Sequence, residues 1–176
     1  MTRSVNAANL LTLLRLVLVP FVIRAILDGR HTLALALFAG AALTDMLDGA
    51  VARRFHLATP AGAWLDPIAD KCLLSGVFLA LAGAGTVPWW LVGIIFGRDF
   101  FILAGAATVM FLTPVRKFPP SIWGKVSTLV QIVTVTAWMS GNVGAARFLL
   151  WPCAAVTIWS GIHYTWRTFR LLRHPG

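Results

Sequence analysis

Six long apolar runs dominate this sequence of 176 residues, and they constrain its fold more than any other feature. The runs cover about residues 10–27, 32–51, 62–84, 89–112, 121–139 and 145–164. A helix that crosses the hydrocarbon core of a bilayer needs about 20 apolar residues, so each run is long enough or nearly so. The pattern predicts an all-α integral membrane protein with six transmembrane helices, forming a single domain over residues 1–176.

The composition agrees with a membrane protein and argues against a soluble one. The chain is 59% hydrophobic and 12% charged, whereas a soluble domain is about half apolar and about a quarter charged. Its net charge of +9 is not gathered into a long polar basic stretch. We therefore expect membrane lipids as partners and no nucleic acid.

The basic residues predict which side of the membrane each loop occupies. With both termini in the cytoplasm, the outer side carries only Arg30 and Arg147. The inner side then carries Arg3, Arg53, Arg54, Arg116, Lys117, Arg167, Arg170 and Arg173. Cytoplasmic loops of membrane proteins are enriched in Lys and Arg, so we expect both termini to be cytoplasmic.

Two pairs of aspartates form the main candidate site. Four of the six acidic residues follow the pattern D-x2-D-G-x2-A-R-x8-G-x3-D-x3-D, which begins at Asp45 and ends at Asp70. Asp45 and Asp48 are three residues apart and share one face of a helix. Asp66 and Asp70 are four apart and do the same. The topology above places this polar site at the cytoplasmic side of the bundle.

Carboxylates in or near a membrane are costly unless positive groups neutralise them. Oxygen ligands without a nearby His or Cys favour a hard cation such as Mg²⁺, Mn²⁺ or Ca²⁺ over zinc. Four carboxylates exceed what one Mg²⁺ usually takes, and two ions are the usual clamp for displacement at phosphorus. The alternative is that the aspartates form structural ion pairs with Arg53, Lys71 or Arg98.

The aspartate pattern resembles the signature of the CDP-alcohol phosphotransferase family, membrane enzymes that make phospholipids from CDP-activated lipids. All eight positions of that signature are present with the family spacing, and the similarity extends to residues 9–15. The resemblance implies six spans, two divalent ions (Mg²⁺ or Mn²⁺), a homodimer, and transfer of a phosphatidyl group from CDP-diacylglycerol to an alcohol with release of CMP.

The resemblance also implies a role for each matching residue. Asp45, Asp48 and Asp66 would bind the metal ions that hold the pyrophosphate. Asp70 would complete the metal site and act as the catalytic base that takes the proton from the acceptor hydroxyl. The CDP moiety would contact six residues of the first three spans and their loops: Asn9, Thr12, Gly49, Arg53, Thr59 and Gly62.

The acceptor alcohol is expected to contact Arg98, Asp99 and Lys125 in spans four and five. Phosphatidylglycerophosphate synthases typically carry Arg-Glu and G-K-x-K-T in these spans, and CMP-forming cardiolipin synthases carry Arg-Asp and (S/G)-K-V-x-T. Here Asp99 follows Arg98, and Ser127 stands in place of the second Lys. Glycerol 3-phosphate carries more negative charge than phosphatidylglycerol and needs more cationic partners. The sequence therefore favours phosphatidylglycerol as acceptor and cardiolipin as product, with glycerol 3-phosphate as the alternative acceptor and another alcohol ranked third.

Two further features have simpler interpretations. The alternative to acceptor binding is that Arg98 and Asp99 form an ion pair with a purely structural role. Gly93 and Gly97 are four residues apart, a spacing typical of packing between membrane helices.

Other function classes fit the sequence less well. A divalent-cation transporter is expected to carry acidic groups on both sides of the membrane midplane, but the outer half has only Asp28, in a turn. A non-catalytic membrane protein is the other remote alternative. We expect an enzyme of phospholipid biosynthesis in the bacterial plasma membrane, with its active site facing the cytoplasm.

Overall fold

The structure, a computed structural model, describes the backbone of residues 2–55, 60–112 and 121–173. It describes the side chains of these residues except those of 2–12, 45–55, 60–70, 106, 107, 109–112, 168 and 171–173. Six helices account for nearly all of that backbone: α1 (Thr2–Leu27), α2 (His31–Phe55), α3 (Pro60–Gly83), α4 (Trp89–Leu112), α5 (Ile122–Met139) and α6 (Val143–Arg173). The predicted all-α fold with six helices is confirmed.

Three of the helices are followed by a glycine with a left-handed backbone. Gly29 follows α1 with φ of 70°, Gly85 follows α3 with φ of 73°, and Gly141 follows α5 with φ of 79°. After α1, the Arg30 N–H donates to the Ala25 carbonyl at 2.9 Å. This is the Schellman arrangement, which satisfies carbonyls at the end of a helix and favours glycine because a Cβ is strained there.

Polar side chains cap the N-terminal ends of α5 and α6. Ser121 Oγ accepts a hydrogen bond from the Gly124 N–H at 3.0 Å before α5. Asn142 Oδ1 accepts one from the Ala145 N–H at 3.1 Å before α6. Because the first N–H groups of a helix have no partner within it, these caps define where each helix starts.

One stretch within the described residues, Val143–Arg167, is long and apolar enough to cross a membrane by itself. The same part of the chain contains two shorter apolar helices, His31–Thr44 and Lys71–Gly83. The structure therefore confirms six helices, and six membrane crossings stay a prediction.

The chain divides into two compact units. The first comprises Met1–Thr86 with Met139–Gly141. In it, α1 packs against both α2 and α3. Its buried apolar side chains come from all three helices and include Val22, Ile26, Ala34, Phe38, Ala41, Val77, Phe78 and Leu81. Helix α1 is thus the central element of this unit.

Gly76 allows α1 and α3 to approach closely. A Cβ added at Gly76 would lie 3.1 Å from Ile23 Cδ1 and 3.4 Å from Val19 Cγ1. Small residues at helix contacts bring backbones together in membrane proteins.

The second unit comprises Val87–Trp138 with Asn142–Gly176. Helix α6 contacts both of its neighbours in this unit. The rings of Trp90 in α4 and Trp151 in α6 are 5.8 Å apart. The rings of Trp123 in α5 and Trp159 in α6 meet edge to face at 6.0 Å. The expectation of one domain for the whole chain stays a prediction.

We predict that Gly76→Leu destabilises the first unit, because the new side chain would overlap Ile23. Overpacking of this kind costs about 1–3 kcal/mol. The measurement is the Tm of the purified protein in detergent. Gly40→Leu is the matched control, since a Cβ at Gly40 meets no atom within 4 Å. Both variants gain the same helix propensity, so equal Tm values would contradict the proposed close contact.

Candidate active site

The two aspartate pairs lie on helices that follow each other in the chain. Asp45 and Asp48 lie within about three turns of the end of α2, and Asp66 and Asp70 lie within about three turns of the start of α3. Both pairs are therefore close in sequence to the same connection, residues 56–59. The helical backbone agrees with the spacing argument for each pair. The four side chains lie outside the described residues, so their convergence stays a prediction.

Five of the six residues expected to contact CDP lie on α1, α2 and α3. Asn9 and Thr12 lie in the first half of α1. Gly49 and Arg53 lie in α2, and Gly62 lies in α3. Their side-chain surroundings, like Thr59 as a whole, lie outside the part of the chain that the structure describes.

The donor set fits the metal ions that the family signature implies. Carboxylate oxygens are the ligands that Mg²⁺ and Mn²⁺ prefer. Among the described side chains, no group of three or more His, Cys, Asp or Glu lies together. The four aspartates are outside that set, and they remain the residues that would hold the ions.

Arg98 in α4 is the centre of a second polar cluster, and its side chain is only 11% exposed. Its Nη1 donates to Asp99 Oδ1 at 2.6 Å, and its Nη2 donates to Ser160 Oγ in α6 at 3.0 Å. Its Nε is buried and has no hydrogen-bond partner among the described residues. A guanidinium has five N–H donors, so a group held in this way keeps some of them for an anionic ligand.

Two glycines bring neighbouring helices against Arg98. A Cβ at Gly124 in α5 would lie 3.2 Å from Arg98 Nη2, and a Cβ at Gly161 in α6 would lie 3.5 Å from Arg98 Cγ. Three helices therefore converge on this side chain. Lys125 follows Gly124 in the first turn of α5, and it is exposed. The structure thus brings the beginning of α5 next to Arg98, and binding of the acceptor by Lys125 stays a prediction.

The Arg98–Asp99 ion pair is present, as the structural alternative predicts. Asp99 is 24% exposed, so the pair is neither fully buried nor open to solvent. A partly buried pair of this kind neutralises Arg98 locally. Its presence is compatible both with a structural role and with acceptor binding.

Ser127 is buried within a closed hydrogen-bond network between α5 and α6. Its hydroxyl lies 3.1 Å from the hydroxyl of Thr157. Gln131 Nε2 donates to Ser127 Oγ at 3.3 Å and to Thr157 Oγ1 at 3.2 Å. Because Ser127 is 1% exposed, this position faces α6 and adds no positive charge to the surroundings of Arg98.

Sequence reasoning missed Ser160, Gln131 and Thr157. The signal was the spacing of polar residues within apolar helices, which places them on one face. In α5 the polar residues that are buried recur at Ser127, Gln131 and Thr134, and in α6 at Thr157 and Ser160. Two such stripes on helices of one unit predict a polar seam.

The comparisons with known proteins identify the chain. The sequence model of CDP-alcohol phosphatidyltransferases matches residues 5–159. Since the match covers most of the sequence, the chain belongs to the CDP-alcohol phosphatidyltransferase family, whose members are membrane enzymes. The resemblance inferred from the aspartate pattern is confirmed.

The proteins that are similar to this chain are named for two different reactions. The chain is 37% identical over 180 residues to a probable phosphatidylglycerophosphate synthase of Mycobacterium tuberculosis, covering 96% of this chain and 84% of the relative. It is 30% identical to the CDP-diacylglycerol–glycerol-3-phosphate 3-phosphatidyltransferase of Bacillus subtilis, covering 91% and 89%. It is 31% identical to the CMP-forming cardiolipin synthase of Rattus norvegicus, covering 94% and 63%.

The protein is therefore a transferase of phospholipid biosynthesis that depends on CDP-diacylglycerol. The expectation of an enzyme is confirmed, and the transporter and the non-catalytic protein are excluded as its function.

We predict that Ser160→Ala raises the KM for the acceptor alcohol about tenfold, because a hydrogen bond to a charged group is worth about 1.5 kcal/mol or more. The KM for CDP-diacylglycerol should stay unchanged. Thr108→Ala is the matched control, since among the described residues its hydroxyl donates to the Ala104 carbonyl of its own helix at 2.9 Å. An unchanged acceptor KM in Ser160→Ala would show that Ser160 does not position Arg98 for the acceptor.

Proposed function

We propose that the protein is a phosphatidylglycerophosphate synthase. In this reaction a hydroxyl oxygen of glycerol 3-phosphate attacks the β-phosphorus of CDP-diacylglycerol. The new phosphorus–oxygen bond joins the phosphatidyl group to glycerol 3-phosphate, and the bond to CMP breaks. The hydroxyl proton passes to a carboxylate, and CMP leaves with the electron pair of the broken bond.

The choice of glycerol 3-phosphate as acceptor is supported by the names of the relatives. The Mycobacterium tuberculosis and Bacillus subtilis proteins named for this reaction align over 84% and 89% of their own lengths. The rat cardiolipin synthase aligns over 63% of its length. The comparisons thus favour glycerol 3-phosphate as the acceptor. The sequence ranks it second, after phosphatidylglycerol.

The surroundings of Arg98 are suited to a phosphate on the acceptor. The guanidinium is largely buried and fixed in position by Asp99 and Ser160. Its remaining N–H donors form the planar fork that matches phosphate oxygens. Lys125 follows Gly124, where an added Cβ would lie 3.2 Å from this guanidinium, and it would supply a second positive charge. In this proposal Arg98 and Lys125 bind the phosphate of glycerol 3-phosphate, and Asp99 orients Arg98.

Phosphatidylglycerol remains the second candidate acceptor, and one observation favours it. Asp99 neutralises Arg98 at 2.6 Å, and the buried Ser127 supplies no second cation from its helix position. An acceptor with a single negative charge needs fewer positive partners than a dianion. With this acceptor the product would be cardiolipin.

The aspartates would perform the chemistry. In this proposal Asp45, Asp48, Asp66 and Asp70 hold two divalent ions, Mg²⁺ or Mn²⁺. When bound, such ions neutralise charge on the pyrophosphate and on the leaving CMP. Asp70 receives the proton from the attacking hydroxyl. The CDP moiety is held by Asn9, Thr12, Gly49, Arg53, Thr59 and Gly62, with the planar fork of Arg53 suited to a phosphate.

The proposed location is the plasma membrane of a bacterium, with the active site on the cytoplasmic side. Six crossings with both termini inside place the aspartate pairs near that side, and the excess of Lys and Arg in the inner loops supports this orientation. Bacterial relatives support the plasma membrane. A homodimer stays a prediction from the family resemblance.

The acceptor is tested by supplying purified protein with CDP-diacylglycerol, Mg²⁺ and one alcohol at a time, and by measuring CMP release. We expect CMP with glycerol 3-phosphate and none with phosphatidylglycerol. CMP with phosphatidylglycerol alone would establish the second candidate. The absence of CMP with both alcohols would exclude both and direct the search to other acceptors.

We predict that Asp70→Asn lowers CMP release by at least about 10²-fold, the usual contribution of a general base. Three carboxylates remain, so the fold and Mn²⁺ binding should be largely kept. These are measured by Tm and by electron paramagnetic resonance of bound Mn²⁺. Asp28→Asn is the control, because Asp28 pairs with Arg24 in an exposed turn. Full activity in Asp70→Asn would refute its role as the base.

A further inference from the structure

A groove of about 720 Å³ runs between α4 and α6 of the second unit. Its floor includes Gly93 and Gly97 of α4 and Gly161 of α6. Large apolar side chains line it further along, among them Phe101 and Trp166, which are 66% and 55% exposed. A volume of this size is typical of small-molecule sites.

The two glycines of α4 do not pack as the sequence predicts. A Cβ at Gly93 or at Gly97 would meet no atom within 4 Å. Within the described residues, therefore, no side chain packs over this pair, and the expected helix contact is wrong for this part of the chain. The glycines instead leave an open channel along α4.

The groove has the length of one membrane leaflet. Along α6 its lining extends from Ile158 to Phe169, which corresponds to about 16 Å at the rise of an α-helix. The hydrocarbon core of a bilayer is about 30 Å thick, so one leaflet contributes about half of that. The end at Phe169 lies toward the basic end of α6, which the proposed topology places at the cytoplasm.

A cation lies at that end of the groove. The guanidinium carbon of Arg170 is 4.0 Å from the centre of the Trp166 ring. Contact with the ring face holds the charge in place, and the N–H edges of the guanidinium remain able to bind a phosphate. Trp is also favoured at the level of lipid headgroups. The groove is thus largely apolar along its length, and Arg170, stacked on the lining residue Trp166, lies beside the end that the proposed topology places at the cytoplasm.

We propose that this groove binds an anionic phospholipid of the cytoplasmic leaflet. One acyl chain lies along Gly97 and Gly161, and the lipid phosphate contacts Arg170. A helix of a second copy fits less well, because it would cross the whole bilayer while the groove covers one leaflet. Arg98 also lines the groove, but the proposed function assigns its remaining N–H donors to the acceptor, so the phosphate of this lipid is placed at Arg170. The site rests on the proposed topology and is independent of which alcohol is the acceptor.

The test is lipid binding to the purified protein, measured by native mass spectrometry without CDP-diacylglycerol or metal. The probe is dioleoyl phosphatidic acid, which is anionic and is neither the donor nor a candidate acceptor. The comparison lipid is dioleoyl phosphatidylcholine. We expect one tightly bound phosphatidic acid per chain, and weaker binding of phosphatidylcholine.

Two variants and two controls locate the site. Gly97→Leu fills the groove and should abolish the tight binding. Arg170→Gln should weaken binding about fivefold, as for one basic residue near an anionic surface. Gly40→Leu and Arg147→Gln are the matched controls, because Gly40 lies on α2 and Arg147 at the opposite end of α6. Both controls should bind as the unsubstituted protein does.

Three results would overturn the proposal. The first is equal binding of the two lipids, and the second is unchanged binding in both Gly97→Leu and Arg170→Gln. The third is that the Gly97→Leu variant is monomeric where the unsubstituted protein is dimeric, while the number of bound lipids per chain stays the same. That result would make the groove an interface between two copies of the chain. Because no catalysis is measured, failure here leaves the proposed reaction standing, and failure of the acceptor assay leaves this site standing.

Discussion

The cost of burying a charged group is the constraint on which the second unit depends. The Arg98 guanidinium is largely buried, which is unfavourable unless other groups compensate its charge. Asp99 supplies the opposite charge from the next residue, and Ser160 supplies a hydrogen bond from another helix. A Cβ at Gly124 would crowd the guanidinium at 3.2 Å from Nη2, whereas a Cβ at Gly161 would make ordinary contact with Arg98 Cγ at 3.5 Å. Helix packing and the proposed acceptor site therefore involve the same few residues.

The neighbouring polar seam has a different role from the Arg98 cluster. Ser127, Gln131 and Thr157 satisfy one another within the bundle, so they hold α5 against α6 without offering groups to a ligand. Hydrogen bonds of this kind between membrane helices are worth about 0.6–2 kcal/mol each. The seam thus stabilises the unit, while Arg98 keeps N–H donors that the proposed function assigns to the acceptor.

Glycines serve two opposite purposes in this protein. Gly76 permits a close contact between α1 and α3, where a side chain would meet Ile23. Gly97 has the spacing of a packing residue but faces open space. Both residues look alike in the sequence, since a missing side chain can either admit a neighbouring helix or leave a channel. Only the position of the surrounding helices distinguishes the two.

The sequence by itself determined the number and kind of helices, the placement of both aspartate pairs on helices, and the family. These are local properties: the length of an apolar run, spacings of three and four residues, and a motif. It did not reveal that Ser160 holds Arg98, because that hydrogen bond joins residues 62 positions apart. Nor did it reveal the groove beside Gly97. Both depend on how α4, α5 and α6 pack, and contacts between distant segments are decided by the tertiary structure alone.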